Sequence, residues 1–247
     1  MAKTLYIYGI HPVLETISVS PKEIKKIWVK KTSTQKEMNK IVAIAHRAQI
    51  PVEICMNDAP FRERVRDAVH QGVMAEINPP KMLMLGDFLK TLDKTKNPSL
   101  VILDELTDPH NVGAVIRSAC ALGVSGVLIP KDNQAGITGA VYKTSAGTVT
   151  QIPLVQIGNI NQTLRTLKDE GFWTYGLSEK ATTSLSEITF DSPSVFIIGN
   201  EEHGIAQKTT EICDILVRIP MKSGVDSLNA SVSSAVLIWE WSKQNFI

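Results

Sequence analysis

The 247-residue chain predicts an α/β fold in two parts: a small α/β unit over residues 1–77 and a larger domain over 99–247 built on a mostly parallel sheet. Three observations predict it. Beyond Ser99, short continuous apolar runs alternate with helical patterns, as strands covered on both faces of a parallel sheet read. Before residue 78 the runs are shorter, and their apolar positions either alternate or recur at helical spacing. Between the two, Asn78-Pro79-Pro80 and Lys94-Thr95-Lys96-Asn97-Pro98 bracket a polar stretch, so 78–98 is expected to be a connector with a short helix near 85–92.

In order, Tyr6-Ile7-Tyr8-Gly9 leads into a short helix over 12–17. Residues 24–30 alternate like a half-buried strand, and 36–48 place Met38, Ile41, Val42 and Ala45 on one helical face. A strand over 52–55, a helix over 61–69 and a strand over 73–77 complete the first part. In the second part, strands are expected over 100–103, 126–129, 149–154, 172–175, 195–198 and 215–219. Helices are expected over 112–122, 139–146, 160–170, 207–212 and 230–243. The last carries Val232, Ala235, Val236 and Trp239 at helical spacing.

With 43% hydrophobic and 21% charged residues, the composition is that of an ordinary soluble globular protein. No run is long and apolar enough to span a membrane, and the start Met-Ala-Lys-Thr-Leu-Tyr is no signal peptide. Cys55, Cys120 and Cys213 lie far apart, in neither a metal-ligand spacing nor an even disulfide set, which suits a reducing cytoplasm. Residues 1–77 hold 12 Lys+Arg against 8 Asp+Glu, and 78–247 hold 14 against 17. A polyanion is therefore expected to meet the N-terminal part first.

Three strand-end loops carry the candidate chemistry. The first, Leu103 to Ala119, places Asp108 and Asn111 as helix caps, Pro109 at a helix entry and Arg117 in the second turn. A phosphate would suit that guanidinium; an ion pair with Asp104, Glu105 or Asp108 is its other use. The second, Phe196 to Ile205, runs from a strand through Gly199, Asn200, Glu201, Glu202 and His203 to Gly204. Glycine at such a strand end permits close backbone approach by a ligand. The acidic pair and histidine lack the i, i+4 histidine spacing of a metal site, so no metal is expected. The third, Arg218 to Val232, ends a strand at Pro220, turns around Gly224, and offers Ser227 or Asn229 to cap the last helix. Free backbone N–H and C=O groups past the carboxyl ends of strands are where ligands bind in α/β sheets. There is no G-x-G-x-x-G after a strand, no Walker loop and no G-x-S-x-G elbow.

Together these loops resemble the motifs of the SpoU/TrmH family of RNA ribose 2′-O-methyltransferases, within the SPOUT class. The first motif is Asp108-Pro109-His110-Asn111-Val112-Gly113-Ala114…Arg117, and the second is Gly199-Asn200-Glu201…Gly204. The third is Ile219-Pro220-Met221…Ser227-Leu228-Asn229-Ala230-Ser231-Val232. Ala230 and Ser233 depart from the family's frequent valine and alanine without removing a polar group. The first part, with Tyr8-Gly9-Ile10-His11-Pro12-Val13 and Ala68-Val69-His70-Gln71-Gly72-Val73, resembles the ribosomal-protein-like RNA-binding domain of one subgroup. That subgroup methylates a guanosine ribose in the peptidyl-transferase P loop of large-subunit rRNA.

The resemblance implies a trefoil knot in the C-terminal sheet, a homodimer, and S-adenosylmethionine held by backbone groups of the knotted loops. The matching positions are Gly199, Ile219 and Leu228, with Met221 and Ser227 nearby. It implies Arg117 as the catalytic residue, set across the dimer interface from the other subunit's cofactor. Arginine stays protonated, so binding the target phosphate and stabilising charge is the physically easier role than general base. Asn111, Glu201, Ser227 and Asn229 would orient Arg117, the loops or the ribose. The expected activity is methylation of a guanosine ribose in 23S rRNA. The alternatives are a tRNA 2′-O-methyltransferase and a non-catalytic RNA-binding ribosome-assembly protein.

Overall fold

The computed structural model describes residues 4–32, 36–66, 68–200, 202–223 and 227–245. Two compact units form: Met1–Lys81 with Gly136–Gln151, and Met82–Ala135 with Ile152–Ile247.

The first unit runs β1 (Leu5–Tyr8), α1 (Ile10–Val19), β2 (Ile24–Lys30), α2 (Lys36–Arg47), β3 (Val52–Cys55), α3 (Ala59–Val65) and β4 (Val73–Ile77). Its strand order is β1-β4-β2-β3, with β4 antiparallel to β1 and β2, and β2 parallel to β3. Successive strand residues face opposite sides. Trp28 therefore joins Cys55, Met74 and Phe61 of α3 in one core, away from Ile27 and Val29. α1 starts two residues earlier than expected because Pro12 fits in a first turn, where its missing N–H costs nothing. α3 stops at Val65, short of the expected 69, because Arg66 turns to φ 50.

The second unit holds β5 (Leu83–Met84), α4 (Leu85–Leu89), β6 (Ser99–Leu103), α5 (Pro109–Ala121), β7 (Gly126–Pro130), β8 (Leu154–Ile157), α7 (Ile160–Asp169) and β9 (Trp173–Leu177). It continues through β10 (Thr183–Ser184), β11 (Ser194–Ile198), α8 (Gln207–Thr210), β12 (Ile215–Arg218) and α9 (Ala230–Asn245). The intervening α6 (Gly139–Thr144) belongs to the first unit. There it lies so close to β1 that a Cβ on Gly139 would sit 2.3 Å from the Tyr6 carbonyl oxygen.

The eight strands of the second sheet run β10-β12-β9-β11-β6-β7-β8-β5, every neighbouring pair parallel. The expected α/β class with a parallel sheet is the one adopted. Leu100, Ile102, Leu128, Val195 and Ile197 pack with Leu164 and Leu167 of α7 and Phe88 of α4 on one face. On the other, Phe196 meets Phe190 and Trp241 of α9 edge to face, an arrangement aromatic quadrupoles favour.

Two further expectations change. Residues 82–98 are more than a connector: β5 pairs with β8, and Phe88 and Leu89 are buried in the second core. The strand expected over 149–154 forms at Leu154–Ile157 instead, with Thr148–Thr150 as a 3-10 turn. Pro153 can precede a strand but cannot donate within one.

Candidate active site

From β6 the chain moves outward through β7 to β8, which lies beside the edge strand β5; from β11 it moves outward to β12 on the other side. The order reverses between β6 and β11, and such switch points open a crevice at the carboxyl ends of parallel strands. All three candidate loops leave carboxyl ends here, after β6, β11 and β12.

The loop after β11 closes on itself. The Asn200 N–H donates to the Gly204 carbonyl at 3.0 Å, and the Gly204 N–H donates back at 2.9 Å. Gly204 takes φ 68, and the Glu202 N–H donates to Asn200 Oδ1 at 2.8 Å. A Cβ on Gly199 would lie 2.3 Å from the Gly204 carbonyl carbon and 2.4 Å from the Ile205 nitrogen. The close approach expected of a ligand at Gly199 is thus already made by the chain's own backbone. Glu201 lies outside the described residues.

The loop after β12 brings Ile219, Met221, Ser227 and Leu228 to the same place as Gly199, where they line a cavity of about 870 Å³. Ile198, Ile205 and Leu216 supply apolar wall, and Lys180, Arg218, Glu179 and Glu202 stand among its charged groups. Among the described residues, the N–H groups of Ile219, Met221 and Leu228 make no backbone hydrogen bond. They can serve a ligand, as strand-end backbone was expected to. The turn around Gly224 lies outside the described residues.

Asn229 caps α9: its Oδ1 accepts from the Ser231 N–H at 2.9 Å. Its Nδ2 donates to Asn111 Oδ1 at 3.0 Å, which joins the third motif to the first. Asn111 is buried on α5, whose entry is capped by Asp108 accepting from the His110 N–H at 2.8 Å, with Pro109 in the first turn. Ser227, rather than Asn229 or Asn111, is the polar residue of this set that reaches the cavity wall.

Arg117 is exposed on α5 and does not line that cavity. The alternative ion pair does not form: among the described residues its guanidinium has no acidic partner. Asp108 is spent on the cap, and Asp104 accepts from the Ala206 N–H at 3.1 Å.

Sequence reasoning missed one wall. Leu177 at the end of β9 and Ser178, Glu179 and Lys180 just past it also line the cavity. The sequence carries a signal for it, since a polar turn follows a buried strand there as at the other three sites, but the strand expected over 172–175 stops two residues short of the observed end at Leu177. Cys213, behind Gly176, has its thiol pushed up to about 12 by burial, so it is a packing group and not a nucleophile.

Residues 98–239 match the model of the SpoU rRNA Methylase family, and residues 6–83 match that of the RNA 2′-O ribose methyltransferase substrate-binding domain. The chain is 36% identical over 250 residues to the 23S rRNA (guanosine-2′-O-)-methyltransferase RlmB of Pseudomonas putida, covering 99% of this chain and 98% of that one. It is 34% identical to the protein of the same name from Shewanella oneidensis, covering 99% of each. The fold is that of the SpoU methyltransferase AviRb of Streptomyces viridochromogenes, solved with the cofactor AdoMet, with a TM-score of 0.80 and 19% identity over 98% of this chain and 90% of that one. With the motif loops gathered at one switch point and the family model spanning more than half its length, the chain belongs to the SpoU rRNA methylase family.

Proposed function

We propose that the chain transfers a methyl group from S-adenosylmethionine to the ribose 2′-hydroxyl of a guanosine in 23S rRNA, in the peptidyl-transferase P loop. The observation that carries this reading is the cavity bounded by motif loops two and three, with motif one tied to it through Asn111 and Asn229. Its size is ample for a nucleoside-bearing cofactor, and pockets of this kind run to roughly 1,000 Å³. The N–H groups of Ile219, Met221 and Leu228, which make no backbone hydrogen bond among the described residues, can hydrogen-bond an adenine edge, and Ile198 and Leu216 can cover its faces. When bound, the cofactor supplies an electrophilic methyl on a sulfonium, so the reaction needs no metal. Near-full-length likeness to relatives named for this activity supports the choice of substrate.

Arg117 is assigned as the catalytic residue. Always protonated, it holds the target phosphate and stabilises charge at the reacting oxygen. Asn111, Glu201, Ser227 and Asn229 are assigned to orienting Arg117, the loops or the ribose, with Ser227 on the cavity wall and Asn111 bonded to Asn229. Arg117 stands outside its own chain's cavity, so it serves the cavity of a second copy. The homodimer this requires is supported by an exposed apolar strip on α9, where Val232, Val236 and Trp239 are 47%, 36% and 48% exposed beside Ala114 and Ser118 of α5. Residues 1–77 supply RNA affinity and 99–247 supply cofactor binding and chemistry. The trefoil knot goes with this reading; β11 lying between β6 and β9 supports it. Among the described residues no helix is long and apolar enough to cross a membrane, and the cytoplasm is the compartment where such a substrate is met.

The test is to incubate the full chain and tritiated S-adenosylmethionine with unmodified 23S rRNA and, separately, with tRNA. Label in 23S rRNA alone is expected. Label in tRNA alone would establish the tRNA enzyme instead. Tight rRNA binding without transfer to either would establish the non-catalytic assembly protein.

A further inference from the structure

We infer that Asp104 and Gln134 are positioning residues that brace the segment Asp104–Leu106, Asp104 fixing the wall of the cofactor cavity and Gln134 fixing the entry of α5. The inference rests on the proposed identity of that cavity.

The segment leaves β6 at the switch point and is held from two sides. Toward β11, the Asp104 N–H donates to the Ile198 carbonyl at 2.8 Å. Asp104 Oδ2 accepts from the Ala206 N–H at 3.1 Å, and Asn200 Nδ2 donates to the Glu105 carbonyl at 2.9 Å. Away from β11, Gln134 Oε1 accepts from the Leu106 N–H at 2.9 Å, and its Nε2 donates to the Leu106 carbonyl at 2.7 Å. One side-chain amide therefore engages both backbone groups of one residue, as a neighbouring strand would. Glu105 between them takes φ 58. A non-glycine residue keeps that conformation only when its surroundings over-determine it.

The chemistry of Asp104 argues against a packing role. Its side chain is 2% exposed, and a carboxyl group in such a place costs free energy that an aliphatic residue would not. What it supplies is an acceptor for Ala206, the residue after cavity-lining Ile205. On the other side, Leu106 precedes the Asp108 cap by two residues, so Gln134 sets where α5 starts and where Asn111 and Arg117 stand. The two braces act on different partners of the reaction, and their removal should separate binding from transfer.

The experiment uses the full chain with S-adenosylmethionine titrated by calorimetry, single-turnover transfer to 23S rRNA, and amide hydrogen exchange of the cofactor-free protein. Asp104→Ala is expected to weaken cofactor affinity at least about tenfold and to speed exchange over 199–206, the scale of one lost hydrogen bond to a charged group. Asp104→Asn, which keeps an acceptor oxygen, should restore both. Gln134→Ala should leave affinity within about twofold and lower transfer at saturating cofactor at least about tenfold. Should Asp104→Ala not fold, Asp104→Leu, closer in volume, takes its place. Unchanged affinity and exchange in the Asp104 variant, no rescue by asparagine, or equal loss of affinity and transfer in Gln134→Ala would overturn the inference. A wild-type chain without affinity for S-adenosylmethionine would instead remove the proposed function on which it rests, and the exchange result would still report on the Asp104 brace.

Discussion

Arg117 carries the sharpest prediction at the scale of single residues. It is exposed, and among the described residues it has no acidic partner, so truncation should leave the melting temperature nearly unchanged. Arg117→Ala is expected to keep cofactor affinity and lose transfer by about 10²–10³, the usual scale for one donor at a developing charge. Arg117→Lys should recover little, since an ammonium cannot make a bidentate grip on phosphate. A large loss of stability with normal transfer per folded molecule would assign Arg117 to structure. At Gly199 even a methyl group would collide with the Gly204 backbone. Gly199→Ala should therefore displace the loop and abolish measurable cofactor binding by calorimetry; normal affinity would show that the loop can yield there. Burial raises the Asp104 carboxyl above its ordinary value, with Glu105 adding to the shift. A raised acid favours the folded state fully below its unfolded pKa, and that contribution fades as pH rises through the folded value. The melting temperature of Asp104→Asn relative to wild type should thus increase from about pH 4 upward and then level off. A difference independent of pH would mean that the carboxyl titrates alike in the folded and unfolded chain, with no burial shift. Much at this scale was legible: the polar positions Asn111, Asn229 and Asp108 stood out as strand-end and cap residues. Their partners did not, because a contact between residues 111 and 229 has no local signature. Asp104 read only as a possible ion-pair partner, since its burial is a tertiary fact.

Among the elements, α9 separates what periodicity shows from what it cannot. Its spacing predicted an apolar strip at Val232, Ala235, Val236 and Trp239, yet the structure buries Ala230, Leu237, Ile238 and Trp241 and leaves the first strip largely exposed. A helix apolar on two faces has two surfaces to cover, and a single chain covers one. Trp239→Glu should therefore leave the fold intact and shift the protein from dimer to monomer at micromolar concentration, read by sedimentation or light scattering. A wild-type monomer, or a variant that dimerises normally, would count against this face as the interface. The longer strands and helices were legible because continuous apolar runs and 3.6-residue spacing persist over several turns. The two-residue β5 was not, because both its residues are exposed and its only signal is pairing with β8. The strand at Leu154–Ile157 was misplaced because Gln156 interrupts its apolar run.

At the scale of the whole molecule, the two-part organisation was visible in the change of pattern near residue 78, and the charge difference between the parts was visible by counting. What escaped was the return of Gly136–Gln151 to the first unit, since chain order alone gives no reason for a segment to leave its own sheet. At this scale the assembled chain is expected to methylate a guanosine ribose of 23S rRNA. A 2′-O-methyl group removes the hydroxyl that attacks the adjacent phosphate in alkali, so the modified nucleotide survives hydrolysis as part of a dinucleotide. The direct measurement is alkaline hydrolysis of 23S rRNA treated with the full chain and labelled S-adenosylmethionine, followed by mass analysis. A single labelled alkali-resistant dinucleotide beginning with guanosine, mapping to the peptidyl-transferase P loop, is the predicted result. Label released wholly as mononucleotides, which places the methyl on a base, or no transfer at all, would contradict the account.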